Sequence, residues 1–374
     1  MRSDIDSAVA RVLDSGWFIL GPEGEAFERE LASFLEVPDA VAVANGTEAI
    51  QLALEAIGVG PGDEVITSSL TFASTVHAII HTGARPVIAD IEAETFGLDP
   101  ARVEELITPA TRAVMPVHFG GQACRIREVV ELARRHGLAV VEDAAHSFGA
   151  SVDGERVAGI GDATAFSFYA TKNLTTGEGG AVSTNDDEVA ERLRLLSYHG
   201  MSRDSWARYA DRGSWYYEVK IPGYKCNMND VQAALGISQL DKIGAMLERR
   251  VRIAERYCDR LQGSPWVKLP PVRPGNTHTW HLFAVRLHLE SMTIGRDQFV
   301  RALTEENIGT SVHFIPIYRH AFFADYLPPS ASFPACDDYF SRCISLPVYP
   351  GMSDDDVDDA ADALVKVATY YRAD

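Results

Sequence analysis

One lysine of the chain lies between an apolar strand and a glycine-rich turn, in the segment Ser167–Gly180 (SFYATKNLTTGEGG). A lysine held in a pocket can lose its proton and form a Schiff base with a carbonyl compound. Ser167 precedes Lys172 by five residues, and the glycines let the backbone pass close to a bound ligand. These neighbours favour catalysis for Lys172 over the solvated role that a lone lysine usually has.

Two further segments carry polar groups at the ends of apolar runs, Val140–His146 (VVEDAAH) and Asn45-Gly46-Thr47. Asp143 either caps the following turn or is the carboxylate that keeps a pyridine nitrogen protonated, so that the ring accepts electrons. His146 lies either beside such a ring or in a structural hydrogen bond. Gly46 and Thr47 come between a strand and a helix, where free N–H groups bind phosphate.

The elements that must position these residues alternate along the first part of the chain. Predicted strands are Val41–Ala44, Glu64–Thr67, Pro86–Ile91, Ala113–Val117, Leu138–Glu142, Ala163–Phe168 and Gly180–Thr184. Predicted helices are Glu48–Ile57, Ala73–Thr82, Pro100–Ile107 and Ile126–His136. This order predicts an α/β fold with a mainly parallel sheet covered on both faces. Ligands of such sheets bind beyond the carboxyl ends of the strands, where the polar segments lie.

After about residue 240 the pattern changes, which predicts a large domain over residues 1–240 and a smaller α+β domain over residues 241–374. The predicted elements are a long helix at Leu240–Leu261, strands at Trp280–Leu289 and Thr310–Ile315, and a helix at Arg296–Glu306 between them. The acidic run at Asp354–Asp356 predicts the solvated start of a terminal helix, because acidic residues suit the helix dipole there.

Composition excludes several classes of function. The net charge of −19 over 374 residues disfavours nucleic acid and anionic membranes as partners. Five cysteines without a C-x-x-C pair indicate neither a disulfide framework nor a zinc site. The polar N-terminus is unlike a signal peptide, and no apolar run approaches the roughly 20 residues of a membrane helix. We therefore expect a soluble, cytoplasmic protein.

The chain resembles the DegT/DnrJ/StrS family of sugar aminotransferases. The resemblance covers nearly the whole sequence, and its motifs are specific in order and spacing. They are Ser167–Gly180, Glu142–His146 (EDAAH), Pro222–Met228 (PGYKCNM) and Gln232–Gly236 (QAALG). It implies fold type I of the pyridoxal 5′-phosphate (PLP) enzymes, the aspartate aminotransferase-like fold. It also implies a homodimer whose active sites lie at the subunit interface.

Carried over by position, the resemblance implies a role for each motif residue. Lys172 would carry PLP as a Schiff base, and Asp143 would pair with the pyridine nitrogen. The others would hold the phosphate (Gly46, Thr47, Ser167), stack on the ring (Phe72), lie near the ring (His146), reach the phosphate in the partner subunit (Asn227) and lie near the substrate (His313). His313 is as consistent with a structural role as with this one.

The implied reaction moves an amino group from L-glutamate to a nucleotide-linked keto-sugar, with Lys172 as general base and acid. Alternatives are an aminocyclitol aminotransferase, a dehydratase of the same family, and a non-catalytic regulator on the same fold. The dehydratases carry histidine in place of the lysine, so Lys172 disfavours them. Retention of Lys172, Asp143 and Ser167 disfavours a regulator. The chain lacks the glycine fingerprint of NAD-linked oxidoreductases, and it also lacks the phosphate-binding loop of nucleotide hydrolases.

The segment after Gly223-Tyr224 bears on which sugar carbon is aminated. It commonly reads Asn-x-Arg in relatives that act on 3-keto sugars, whereas Lys225-Cys226-Asn227 is closer to the Lys-Tyr-Asn of those that act on 4-keto sugars. We therefore expect a TDP- or UDP-linked 4-keto sugar, with a 3-keto sugar as the alternative. Arg203, Arg208 and Lys220 are candidates to contact the nucleotide diphosphate, although ordinary surface roles suit each of them better.

Overall fold

The computed structural model describes residues 1–201 and 217–373. Most of the first 240 residues form alternating helices and strands. In chain order they are α1 (Arg2–Ser15), α2 (Pro22–Leu35), β1 (Asp39–Val43), α3 (Gly46–Ala56), β2 (Glu64–Ser68), α4 (Ala73–His81), β3 (Arg85–Ala89), α5 (Pro100–Leu106), β4 (Thr111–Met115), α6 (Ile126–His136), β5 (Ala139–Asp143), β6 (Ser151–Val152), β7 (Glu155–Arg156), β8 (Ala163–Ser167), β9 (Gly180–Thr184), α7 (Asp187–Ser197) and α8 (Asp230–Leu240).

Seven of these strands form one sheet in the order β1-β9-β8-β5-β4-β2-β3. Strands β8, β5, β4, β2 and β3 pair in parallel, and β9 is antiparallel to both β1 and β8. Every strand of the sheet except β9 therefore runs in one direction. The carboxyl ends of β1, β5 and β8 consequently meet at one edge, and these are the ends that precede Asn45, include Asp143 and include Ser167.

Both faces of this sheet are buried. Along β8, Ala165 belongs to one apolar core and Phe166 to the other, because successive strand residues point to opposite faces. Val140 and Val141 of β5 divide in the same way. This double burial explains why the strands read as continuous apolar runs instead of alternating patterns.

The remainder of the described chain forms a second group of elements. They are α9 (Ile243–Leu261), β10 (Val267–Lys268), β11 (Asn276–Thr277), β12 (Phe283–Leu287), α10 (Arg296–Glu305), α11 (Pro334–Arg342), β13 (Cys343–Leu346) and α12 (Asp354–Tyr370). Strands β10, β12 and β13 make a separate antiparallel sheet. Tyr257, Phe283, Phe299 and Leu364 share one buried cluster of this region. The domain boundary near residue 240 remains a prediction.

Two sequence predictions in this region differ from the structure in detail. The long helix expected at Leu240–Leu261 is present as α9, but it begins three residues later, at Ile243, because α8 ends at Leu240. Thr310–Ile315 is not a strand: it makes only one isolated bridge, Ser311 to Ser345. The terminal helix does begin at Asp354, where Ser353 caps it by accepting from the Asp356 N–H at 3.1 Å.

Gly236 sets the close packing of α8 against α2 behind the sheet edge. A Cβ at Gly236 would lie 2.5–3.0 Å from three ring atoms of Phe27, which is fully buried and touches Phe168 edge-on at 5.6 Å. We therefore expect Gly236→Ala to destabilise the protein by about 1–3 kcal/mol, through overpacking. Gly244→Ala in α9 is the matched control, since nothing lies within 4 Å of its added Cβ. Thermal unfolding checks this, and equal midpoints for the two variants would contradict it.

Candidate active site

A cavity of about 750 Å³ opens at the carboxyl edge of the large sheet. Among the residues around it are eight that the sequence singles out: Gly46, Thr47, Phe72, Asp143, His146, Ser167, Lys172 and His313. Residues from far apart in the chain therefore meet in one place. Their individual roles remain predictions.

Lys172 follows β8 in a tight turn, in which its backbone N–H donates to the Tyr169 carbonyl at 2.9 Å. Burial lowers the pKa of its ammonium group to about 8, and the nearby Asp143 carboxylate partly opposes that shift. An amine with a pKa near 8 is partly neutral under physiological conditions. It is therefore available as a nucleophile and as a base.

Asp143 ends β5, and its carboxylate is held by hydrogen bonds from neighbouring residues. Its Oδ2 accepts from Thr75 Oγ1 at 2.8 Å, and its Oδ1 accepts from the Ala145 N–H at 3.1 Å. The Thr75 hydroxyl is in turn 2.6 Å from that of Thr71. These bonds fix the orientation of a carboxylate that is almost fully buried.

The start of α3 and the end of β8 form a cradle for an anion. Asn45 caps α3 by accepting from the Glu48 N–H at 2.9 Å. Gly46 and Thr47 occupy the first turn, whose N–H groups have no partner within the helix. A Cβ at Gly46 would lie only 2.6 Å from Cβ of Ser167, so only glycine allows this approach. Backbone N–H groups and the Ser167 hydroxyl thus converge where the helix dipole is positive.

Aromatic rings line the rest of the cavity. Phe72 stands at the start of α4, 61% exposed, with its ring centroid 5.8 Å from that of Phe314. The rings of His146 and His281 lie 4.4 Å apart. His313 Nδ1 is hydrogen-bonded to Ser345 Oγ at 2.9 Å, which brings a residue of the C-terminal region to the cavity.

These histidines are uncharged near neutral pH. Burial, reinforced by the charge of Lys172 and by the other basic groups, lowers the pKa values of His146 and His281 well below the ordinary range. Burial and Lys172 lower the pKa of His313 to about 4. Three of the imidazoles around the cavity are therefore neutral, beside one titrating amine.

Asn227 is the predicted site residue that does not line this cavity. Its Oδ1 accepts from Lys225 Nζ, and its Nδ2 donates to the Met228 carbonyl at 3.0 Å. It lines a second cavity of about 320 Å³, together with Lys220. Within one subunit it is thus separate from Lys172. Arg203 and Arg208 lie outside the described residues.

Two residues of the site were not predicted from the sequence: Thr75, which holds the Asp143 carboxylate, and His281, which lines the cavity. Thr75 sits one helical turn after Thr71, in a segment chosen for its aromatic residue alone. His281 belongs to the run His278–Phe283 (HTWHLF), where a histidine at the start of an apolar strand was a usable signal. Neither has a distinctive spacing from Lys172, because only the folded chain brings them together.

Comparison with known proteins places this arrangement in a family. The family model described as the DegT/DnrJ/EryC1/StrS aminotransferase family matches residues 1–365. The chain belongs to this family. The resemblance seen in the sequence is thereby confirmed, as are the predicted α/β fold of the PLP aminotransferases, the activity of a PLP-dependent aminotransferase and the cofactor PLP.

Individual relatives match over almost their full lengths. The spore coat polysaccharide biosynthesis protein SpsC of Bacillus subtilis (strain 168) is 50% identical over 358 residues, which span 95% of this chain and 92% of that protein. Among solved structures, S. venezuelae DesV in complex with a ketimine intermediate is 38% identical with a TM-score of 0.89, covering 100% of this chain and 96% of that one. The PMP-form of the putative sugar aminotransferase Spr1654 from Streptococcus pneumoniae is 30% identical with a TM-score of 0.93, covering 99% and 98%.

The donor set of the cavity fits PLP. A cradle too tight for a side chain at position 46 suits a phosphate, a fixed carboxylate suits a protonated ring nitrogen, and an amine with a pKa of about 8 suits a carbonyl.

In the described residues, no helix is both long and apolar enough to cross a membrane.

Replacing the Asp143 carboxylate tests the electrostatic part of this site. Asp143→Asn keeps the shape but removes the charge, so we expect turnover to fall by about 10²–10⁴-fold. Thr75→Val removes one hydrogen bond to that carboxylate, worth about 1.5–3 kcal/mol, and should cost less. Steady-state rates with saturating PLP check both. An Asp143→Asn enzyme within a few fold of the parent rate would contradict the role given to Asp143.

Proposed function

We propose that this enzyme transfers the amino group of L-glutamate to a nucleotide-linked 4-keto sugar, in the biosynthesis of amino-deoxysugars. The observation that carries the proposal is the meeting of Lys172, Asp143 and the Gly46–Ser167 cradle at one cavity. Family membership supports an amino-group transfer, and the similarity to SpsC and to a putative sugar aminotransferase supports a sugar as acceptor.

In this proposal several residues around the cavity each hold one part of PLP. The first turn of α3 and the Ser167 hydroxyl bind the phosphate, Asp143 binds the ring nitrogen and Phe72 covers the ring face. His146 lies beside the PLP ring, and its imidazole is held by the Gly120 N–H, which donates to Nδ1 at 3.4 Å. When bound, PLP supplies a carbonyl that links to amines and a ring that accepts electrons.

Lys172 performs the proton chemistry. Its Nζ removes the proton from the α-carbon of the amino donor and returns a proton in the opposite half-reaction. A pKa of about 8 leaves a substantial neutral fraction of this amine near pH 8, while a more basic lysine would stay protonated. Asp143 opposes further loss of basicity, so the same carboxylate serves both the ring nitrogen and the lysine.

The preference for a 4-keto sugar rests on Lys225-Cys226-Asn227. A neutral amide at position 227, in place of a forked arginine cation, changes the charge and the seating of a neighbouring phosphate. That change alters how the cofactor meets the sugar ring. Cys226 departs from the usual tyrosine, and its side chain is buried in the core against α3 instead of facing the cavity.

Matched acceptors test this preference. The holoenzyme is given TDP- or UDP-linked 4-keto and 3-keto hexoses with L-glutamate, and products are identified by mass and NMR. We expect kcat/KM to favour the 4-keto sugar. A clear preference for the 3-keto sugar or for a free ketocyclitol would overturn the acceptor and leave the roles of Lys172 and Asp143 intact.

We also propose a homodimer in which Asn227 of one subunit contacts the cofactor phosphate of the other. The separation of Asn227 from Lys172 within a single subunit supports this arrangement. Asn227→Asp should be nearly inactive, because a carboxylate at that position would repel the phosphate. Lys172→Ala should also be nearly inactive, because it removes the amine that transfers the proton.

Mixed dimers distinguish the two geometries. A dimer of one Lys172→Ala subunit and one Asn227→Asp subunit contains one intact site if Asn227 acts across the interface, and we expect about half of the parental activity from such dimers. No recovery on co-expression, or an active monomer in sedimentation, would contradict the proposal. Dimers of Lys172→Ala with the parent enzyme calibrate the recovery.

A further inference from the structure

His281 enters the cavity on a backbone segment that is unusual in its conformation. The preceding residue, Trp280, has a φ of 48°, in the left-handed region that bulky residues rarely adopt. Strained backbone of this kind persists where the surroundings enforce it, and it concentrates at functional sites. His281 follows Trp280 directly and lines the same cavity as Lys172.

Several hydrogen bonds hold this segment in place. Arg250 Nη1 donates to the Trp280 carbonyl at 3.0 Å, and Asn173 Nδ2 donates to the Thr279 carbonyl at 3.1 Å. The Thr279 N–H donates to the Gly121 carbonyl at 2.8 Å. A Cβ at Gly121 would lie 2.9 Å from the His281 backbone nitrogen, so the close approach requires glycine. The segment is thus clamped from α9, from the turn after Lys172 and from the loop after β4.

The His281 ring is buried but incompletely bonded. Its exposure is 9%, and its Nδ1 is buried without a hydrogen-bond partner. The ring lines the cavity, which leaves Nε2 as the nitrogen that a ligand can reach. By contrast, His146 Nδ1 has the Gly120 N–H and His313 Nδ1 has Ser345 Oγ.

The described residues around the cavity include few cations that could bind the carboxylates of an amino donor. Asp143, Glu48 and Glu178 line the cavity, and no arginine does so in the part of the chain that the structure describes. L-Glutamate brings two carboxylates, and a bound cofactor phosphate adds further negative charge. The basic groups that act on His281 are Lys172, Arg250 and His313, and the His146 ring lies beside it at a tilt of 44°.

We propose that His281 binds a carboxylate of the amino donor and takes up a proton from solvent as it does so. The inference rests on the proposed function for the identity of the donor. An incoming carboxylate supplies the negative charge that the free site lacks at this ring, so it favours the imidazolium. His281 then pairs with the donor by a charge-assisted hydrogen bond, and Lys172 remains available for the proton transfer at the α-carbon.

Proton uptake is measured first, on the parent holoenzyme. Binding of glutarate, a dicarboxylate without an amine, is followed by calorimetry near pH 8 in two buffers of different ionisation enthalpy. We expect uptake of a proton, and an affinity that weakens as pH rises through the pKa of the complex. Binding without proton uptake would overturn the inference without the use of any variant.

The variant His281→Gln then assigns the proton. We expect it to lose the uptake and to raise KM for L-glutamate about tenfold or more. The amination of the keto-sugar by the pyridoxamine form of the enzyme should change less than twofold, because the sugar ring has no carboxylate. His136→Gln, on the exposed end of α6, is the matched control. Visible absorbance of the bound cofactor shows that each variant has an assembled site.

The outcomes separate this inference from the proposed function. Unchanged glutamate affinity and proton uptake in His281→Gln would overturn the role of His281 alone. If the parent enzyme binds neither glutarate nor L-glutamate, both the donor and this inference are wrong. Proton-linked glutamate binding without amination of any 4-keto sugar would support His281 and contradict only the acceptor.

Discussion

The burial of the Lys172 amine beside the Asp143 carboxylate is the constraint on which the rest of the structure depends. A charged amine in an apolar cavity is costly, and here burial lowers its pKa to about 8 while the carboxylate limits the shift. The two groups come from different strands, so the balance exists only when β5 and β8 are correctly paired. The lowered pKa of Lys172 therefore depends on the correct pairing of the strands.

The sheet accomplishes this by strand direction. Because β9 alone runs opposite to the others, the carboxyl ends of β1, β5 and β8 share one edge. The strand ends deliver an anion cradle, a carboxylate and an amine to neighbouring positions. The C-terminal region contributes His281, which precedes β12, and His313, which lies between α10 and α11, to the cavity.

Local sequence was sufficient to predict much of this arrangement and insufficient for the rest. The strands of the large sheet are short apolar runs buried on both faces, and their ends could be located to within about two residues. Their carboxyl-end polar residues therefore pointed to the site. Thr310–Ile315 is not a strand, and its apolar residues Val312 and Phe314 pack instead against the cluster that includes Phe119 and Tyr339. A histidine at the start of an apolar run gave only a weak signal for His281, because its place also depends on the left-handed conformation of Trp280 and on the approach of Gly121 and Arg250 to this segment.

Chemical trapping of the cofactor tests the central claim most directly. The holoenzyme is treated with borohydride, which would fix PLP on the lysine that carries it, and the digested protein is mapped by mass spectrometry. The account predicts that the mass of the reduced cofactor is found on the peptide containing Lys172, with loss of the visible absorbance band. Labelling of a different lysine, with Lys172 unmodified, would contradict it.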